Sequence, residues 1–281
     1  MSTSKPLSKQ LVQVVAHRGM GQGFVQPDAP PENTLPAFAE GWNICGACEL
    51  DVHLTRDGQV IVIHDDTTDR TTNASWTVRD RFAAELRTLD AGRWKAQKFA
   101  GTRLPLIEDV LDSMPDGCEL FIELKDGPQV VPPTAEIVRQ SGKASQVVFI
   151  SFDIDTIMLA RQEMPENDCL LIVVFEADYN KGSWNVLYDE GPGFRTVTKA
   201  YAEDELIALV KQYGLTGIDT SFATPPALIT RLLNENLRPV VWTVDDPSIA
   251  VDMVRLGINT ITTDRPGPIR DALIAAGYQV K

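Results

Sequence analysis

The sequence predicts an α/β fold: a single TIM-type (β/α)8 barrel with a β-hairpin extension and a small insertion after the second barrel strand. Three observations carry this. Apolar strand-like runs alternate with helical stretches from end to end, which implies a parallel sheet. With one returning hairpin strand set aside, the runs end at His17, Asp51, Lys125, Phe152, Phe175, Thr220, Val244 and Asp264, and eight such units close into a barrel. The chain has 281 residues, 43% of them hydrophobic, which fits one barrel of roughly 250 residues. Residues 1–281 are therefore expected to form one domain.

The first strand covers 11–16 and runs into His17-Arg18-Gly19. Polar residues at the end of a buried strand are unfavourable unless they are used. A loop with Gly and Pro, 20–31, leads to a helix with Asn33 or Thr34 as N-cap and Pro36 in its first turn. Next, two alternating apolar runs, 49–55 and 60–65, flank Asp57-Gly58, a hairpin signal. Alternation puts Glu49 and Asp51 on one face. A turn centred on Asp57-Gly58 pairs 55 with 60 and 54 with 61, and sets Asp51 opposite His64; an odd-numbered turn shifts the register by one. The insertion, about 53–105, reads mostly as loop with a short helix near 83–88. A helix begins near Leu106. Strands are then expected at 119–125, 147–152, 169–175, 216–220, 239–244 and 260–263, with helices at 134–142, 155–164, 204–213, 227–236, 249–256 and 269–276. Residues 177–198, rich in Gly, Asp, Asn, Tyr and Trp, read as a long functional loop.

Composition removes several classes of function. A net charge of −13 repels phosphate backbones and anionic membranes, so nucleic-acid binding is not expected. No apolar run approaches the ~18 residues of a membrane span, and the first ten residues have no apolar signal-peptide core. The expectation is a cytoplasmic protein with no stable membrane insertion. Cys45 and Cys48 have CxxC spacing, but no second close pair completes a zinc site. They are expected to be structural thiols.

In such barrels the chemistry sits where the strands end. His17 and Arg18, Glu49 and Asp51, His64, Glu123 and Lys125, and Trp242 all fall on that rim. Two of the chain's three histidines are there, and an imidazole titrates near neutral pH, as acid–base work requires. Three carboxylates suit a hard, oxygen-seeking cation, Mg²⁺ or Ca²⁺, better than zinc. Arg18 and Lys125 beside such a cation imply an anionic substrate, most simply a phosphate. Phosphoester cleavage uses all of these groups.

The segments Ala16-His17-Arg18-Gly19, Pro31-Glu32-Asn33-Thr34, Glu49-Leu50-Asp51-Val52, Thr55-Arg56-Asp57-Gly58, His64-Asp65, Glu123-Leu124-Lys125, Trp242-Thr243-Val244 and Ile261-Thr262-Thr263-Asp264-Arg265-Pro266 occur in this order over nearly the whole chain. Together they resemble the glycerophosphodiester phosphodiesterase family. The resemblance implies metal-dependent hydrolysis of a small glycerophosphodiester to sn-glycerol 3-phosphate and an alcohol, in many relatives through a cyclic phosphate. It implies catalytic roles for His17 and His64, one divalent cation on Glu49, Asp51 and Glu123, phosphate contacts from Arg18 and Lys125, and supporting roles for Glu32 and Asn33. Trp242 and Phe152 are expected to line the glycerol side, and His53 the rim. The sequence departs from the family pattern in a longer 19–31 loop and in Asp245, where relatives often carry Asn. A choline head group would need an aromatic cage, for which Tyr179, Trp184, Tyr188 and Phe194 are candidates. The rival readings are a phosphodiester lyase of the sphingomyelinase D kind, which stops at the cyclic phosphate, and a non-catalytic phosphate-binding barrel. Neither the preferred alcohol nor the oligomeric state is legible.

Overall fold

A computed structural model describes residues 11–178, 183–190 and 195–281. The chain opens with β1 (Leu11–Ala16), α1 (Leu35–Cys45), β2 (Ala47–Leu54) and β3 (Val60–Val62). It continues through α2 (Ala83–Leu86), α3 (Ile107–Ser113), β4 (Glu119–Leu124), α4 (Val131–Gln140), β5 (Val147–Ser151) and α5 (Ile154–Glu163). Then come β6 (Asp168–Asp178), β7 (Ser183–Glu190), β8 (Arg195–Ala200), α6 (Glu203–Gln212), β9 (Gly217–Ser221) and α7 (Pro226–Asn234). Last are β10 (Arg238–Trp242), α8 (Pro247–Arg255), β11 (Thr260–Thr263), α9 (Pro266–Ala275) and β12 (Gln279–Val280). Strands β1, β2, β4, β5, β6, β9, β10 and β11 pair in that order, all parallel, and β11 returns to β1. This is a closed eight-stranded barrel.

The strands close because both of their faces find apolar partners. Outward side chains such as Val14, Leu50, Val52, Leu120 and Ile122 meet the helices in the main core. Inward ones, Val15, Ala47, Phe121, Val148, Ile150, Leu170, Ile172 and Val240, fill the barrel itself. On β2 the outward set is Cys48, Leu50 and Val52. Period-two alternation therefore forces Glu49 and Asp51 inward. At the far end Arg238 pairs with Asp168 (2.7 Å) and Glu119 (3.3 Å), and its guanidinium lies 5.3 Å from the Phe121 ring centroid. That end is closed by charge pairing over an aromatic floor.

Two local expectations are corrected. β2 and β3 pair Leu54 with Val60, His53 with Ile61 and Val52 with Val62, so 54 does not face 61 and Asp51 does not face His64. The turn holds three residues, 56–58, closed by Thr55 N to Gln59 O at 2.9 Å. Gly58 at φ 74° supplies its left-handed position. The second correction concerns 177–198, which is not a loop where it is described. β6 runs beyond the barrel and pairs antiparallel with β7, and β7 with β8. Trp184, Val186 and Tyr188 alternate along β7 and pack on the main core, a period hidden by the Asn, Asp and Gly around them. Tyr179 and Phe194 lie outside the described residues.

The insertion after β3 packs against Ile61 of that strand in a small core of Ile61, Ile63, Val78, Leu86, Leu89, Ala91 and Leu104. The thiols of Cys45, Cys48 and Cys169 are free and buried, and burial pushes Cys45 up to about 11. All three are enclosed in the main core. Among the described residues, no helix is long and apolar enough to cross a membrane.

The end of β1 is held by close packing. A Cβ on Gly41 of α1 would overlap the Gly19 carbonyl oxygen, the Cys48 sulfur and the Ala16 methyl. Gly41→Ala is expected to lower unfolding free energy by ~1–3 kcal/mol in urea denaturation, the usual range for overpacking. An unchanged midpoint would mean the helix and strand can separate freely.

Candidate active site

The C-terminal ends of the barrel strands surround a cavity of about 260 Å³. His17, Arg18, Glu49, His64, Glu123, Lys125, Phe152 and Trp242 line it, as do Gln22, Ile150, Ile172 and Asp219. Of the remaining residues singled out in the sequence, Asp51 is wholly buried behind this lining, and Glu32 and Asn33 are also buried.

Backbone geometry at the end of β1 sets the first wall. Arg18 adopts φ 51° and Gly19 φ 88°, so the chain turns sharply as it leaves the strand. The turn aims the Arg18 amide at Glu49 Oε2 (2.9 Å), while Arg18 Nη1 donates to Glu32 Oε1 (2.8 Å). A left-handed non-glycine residue is strained, and here it is retained by these two bonds. Asn33, at φ 56°, is not spent on capping α1; its Nδ2 donates to Asp51 Oδ2 at 2.8 Å.

Glu49, Asp51 and Glu123 each present one oxygen within 4.8 Å of the others. Two cations compensate the trio. Lys125 Nζ lies 3.1 Å from Asp51 Oδ1 and 2.5 Å from Glu123 Oε1, and Arg18 Nε lies 3.5 Å from Asp51 Oδ2. Burial works to raise the Asp51 carboxyl, but Lys125 and Arg18 hold it well below the usual range. Burial and the Asp51 charge push Glu49 up. Glu49 Oε1 is buried with no hydrogen-bond partner, and Asp51 Oδ1 has only the Lys125 ion pair. Buried acceptors in this condition fit a hard cation, so the triad could hold a metal.

The two histidines flank the triad in the same manner. His17 Nδ1 donates to Asp264 Oδ1 at 2.6 Å, leaving Nε2 3.8 Å from Glu49 Oε2. His64 Nδ1 donates to Asp65 Oδ1, also at 2.6 Å. Each ring is thereby fixed by a carboxylate behind it. Burial tends to lower both imidazoles; in His17 the Asp264 bond and the Glu49 charge prevail and raise it. His64 stays lowered, with Lys125 and Arg18 adding to the effect of burial. His64 reaches the cavity despite the shifted register, lying just past the last ladder bond, which Ile63 N donates to Asp51 O at 3.1 Å.

His53 is not on the rim. It is buried, with Nδ1 on Asp126 Oδ1 (2.8 Å) and Nε2 on the His64 carbonyl oxygen (3.0 Å). Both ring nitrogens face acceptors, which favours the doubly protonated ring. Burial opposes that charge, and the Asp126 bond prevails to raise the imidazole. Nor is there a choline cage from β7: Trp184 stacks edge-on against Phe175 at 6.5 Å, and Tyr188 is buried in the core. Asp245 accepts from Thr263 Oγ1 (3.0 Å) and the Asp264 amide (2.8 Å), which places it behind the wall.

Sequence reasoning missed the partners of these groups. Arg70 makes two 2.8 Å bonds to Glu32 and also bonds Asp65, so it ties the insertion to the end of β1. Asp264 belongs to the segment Ile261-Thr262-Thr263-Asp264-Arg265-Pro266, in which no local pattern links it to His17. A lone acid within the strand expected at 216–220 is the available signal for Asp219.

A barrel that carries three facing carboxylates, two cations and two carboxylate-held imidazoles at its strand ends has the equipment of a phosphoryl-transfer enzyme. The family model described as "Glycerophosphoryl diester phosphodiesterase family" matches residues 17–268, and the chain belongs to that family. It is an enzyme, a phosphoric diester hydrolase of the glycerophosphodiester type. It is 30% identical over 260 residues to the glycerophosphodiester phosphodiesterase of Caldanaerobacter subterraneus subsp. tengcongensis, which covers 90% of this chain and 94% of the relative. Solved structures give the same fold. One is an Oleispira antarctica phosphodiesterase in complex with the product sn-glycerol-3-phosphate, with a TM-score of 0.74, 22% identity, and 94% of this chain and 97% of that chain covered. Another is a glycerophosphodiester phosphodiesterase of Agrobacterium tumefaciens, with a TM-score of 0.70, 24% identity, and 93% and 100% covered.

The Glu32 ion pairs have a consequence for stability. Burial would raise Glu32, but Arg70 and Arg18 hold it at about 2, below its ordinary value of 4.5. The folded state thus binds fewer protons, and the added stability is present above about 4.5 and disappears as pH falls toward about 2. Glu32→Gln is expected to unfold more easily than the parent at pH 7 by roughly 1–2 kcal/mol, allowing for the solvent around Arg70. The gap should close in acid. A gap that is constant with pH would show that the loss is one of packing.

Proposed function

We propose that the chain, working as one domain over residues 1–281, hydrolyses glycerophosphodiesters to sn-glycerol 3-phosphate and an alcohol. The proposed means are one divalent cation, Mg²⁺ or Ca²⁺, and two histidines in acid–base roles. The observation that carries this reading is the unpartnered Glu49 Oε1 inside a buried carboxylate triad, flanked by two imidazoles that are each held from Nδ1. Family membership and the Oleispira antarctica product complex support the substrate class.

In this reading Glu49, Asp51 and Glu123 hold the cation, whose positive charge, when bound, stabilises the phosphoryl oxygens in the transition state. Arg18 and Lys125 bind the phosphate and draw the diester into the cavity. The two Nε2 atoms are the working atoms. One imidazole takes the proton from the attacking glycerol hydroxyl while the other gives a proton to the leaving alcohol, and water then opens the cyclic phosphate with the two roles exchanged. Asp264 and Asp65 keep both rings in register and stabilise whichever ring becomes charged. Phe152 and Trp242, edge-to-face at 5.6 Å, form an apolar wall for the retained glycerol carbons.

Two tests address this reading. Glycerol 3-phosphate release from glycerophosphocholine and a wider diester panel should stop with a chelator and return with Mg²⁺ or Ca²⁺. Release unaffected by chelation would remove the cation, and a cyclic phosphate as sole product would make the enzyme a lyase. His17→Ala and His64→Ala should each lower kcat by ~10²–10⁴, the usual worth of general acid–base catalysis, and Glu49→Gln should cut activity in parallel with metal affinity. Circular dichroism should show the barrel intact in all three; a histidine variant that keeps full turnover has no place in the mechanism.

A further inference from the structure

Asp219 has no role in the chemistry described so far, and its position calls for one. It lies on β9, which faces β2 across the barrel with three strands between them either way round. Its register neighbours are Ile172 of β6 and Val240 of β10, both inward and apolar. The side chain is 2% exposed, and Oδ1 has no hydrogen-bond partner. It lines the cavity alongside Ile150, Phe152, Ile172 and Trp242. The Trp242 indole N–H reaches the Asp219 carbonyl oxygen at 3.4 Å, so the aromatic wall and this carboxyl are built as one unit.

A buried polar atom left without a partner is destabilising, and a carboxyl that has one and also lines a cavity implies a partner that arrives there. The metal does not fill that place: the oxygens that converge within 4.8 Å come from Glu49, Asp51 and Glu123. A phosphate does not either, since Arg18 and Lys125 stand on the other side of the cavity with that triad. The remaining chemistry is a neutral hydroxyl, which can both donate to and accept from a carboxyl group. Burial raises the Asp219 carboxyl above its ordinary range.

We infer that Asp219 is a specificity-determining residue that hydrogen-bonds a hydroxyl of the glycerol moiety of the substrate. The inference rests on the proposed glycerophosphodiester hydrolysis. It separates the two ends of the diester. The retained glycerol takes the apolar end of the cavity, where Asp219 is its polar contact. The departing alcohol takes the adjoining shallower space between Gln22, Phe24, Val25, Asp65 and Arg70.

Binding isolates this contact from catalysis. Calorimetry in Mg²⁺ would compare sn-glycerol 3-phosphate with propyl phosphate, which keeps the three carbons and the phosphate but has no free alcohol. The wild type should prefer glycerol 3-phosphate. Asp219→Ala should weaken glycerol 3-phosphate about tenfold, the size of one hydrogen bond to a buried polar group, with propyl phosphate changed less than about twofold. Asp219→Asn, which still donates and accepts, should restore most of the preference. If alanine unfolds the barrel, Asp219→Leu makes the same contrast with a side chain suited to Ile172 and Val240. Equal weakening of both phosphates, no weakening, no wild-type preference, or a fall in Mg²⁺ affinity without phosphate would each overturn the inference. A wild type that shows the preference and its loss in the variants, yet releases no glycerol 3-phosphate from any diester, would support Asp219 and refute the hydrolase reading alone.

Discussion

Asp51 is the point on which the mouth of the barrel is assembled. Its carboxylate is wholly buried and receives Asn33 Nδ2 at 2.8 Å, with Lys125 Nζ 3.1 Å away and Arg18 Nε 3.5 Å away. These groups come from the loop before α1, the end of β4 and the end of β1. A buried charge is tolerated only when it is paired and hydrogen-bonded, so one carboxylate fixes the positions of three chain segments. Glu49 and Glu123 then come within reach, and neither finds as complete a set of partners. The shortage of positive charge among three adjacent carboxylates is what makes the location suitable for a cation.

A second set of ion pairs extends outward from the same place. Glu32 joins Arg18 to Arg70, Arg70 joins Asp65, and Asp65 holds His64. The insertion is thus connected to the segment after β1 through charges as well as through the Phe24–Trp94 ring contact at 5.5 Å, while its own small core keeps it compact. His53 acts from the opposite side, holding the His64 carbonyl against Asp126. His64 sits past the end of a strand that stops at Val62, and these bonds supply the fixity that a sheet ladder would otherwise give.

The barrel was legible because buried parallel strands are near-continuous apolar runs, and polar residues such as Glu49 and Asp51 stand out within them. Alternation then set their common face. Where reading failed, the missing information was three-dimensional. Asp57-Gly58 announces a hairpin but does not say whether two or three residues make the turn, and one residue changed the register. β7 escaped because a three-residue alternation, Trp184, Val186 and Tyr188, is too short to stand out among polar neighbours. Asp264 pairs with a histidine 247 positions away, and no local pattern carries a contact of that range. Arg70 looked like one more charge in a loop, since its partner Glu32 belongs to another motif.

The pairing of Arg238 with Asp168 and Glu119 over Phe121 closes one end of the barrel, and apolar side chains fill the space above it. The cavity is therefore a cul-de-sac. Whatever enters by the rim leaves by the rim, and the product that lingers longest sets the pace for the next molecule.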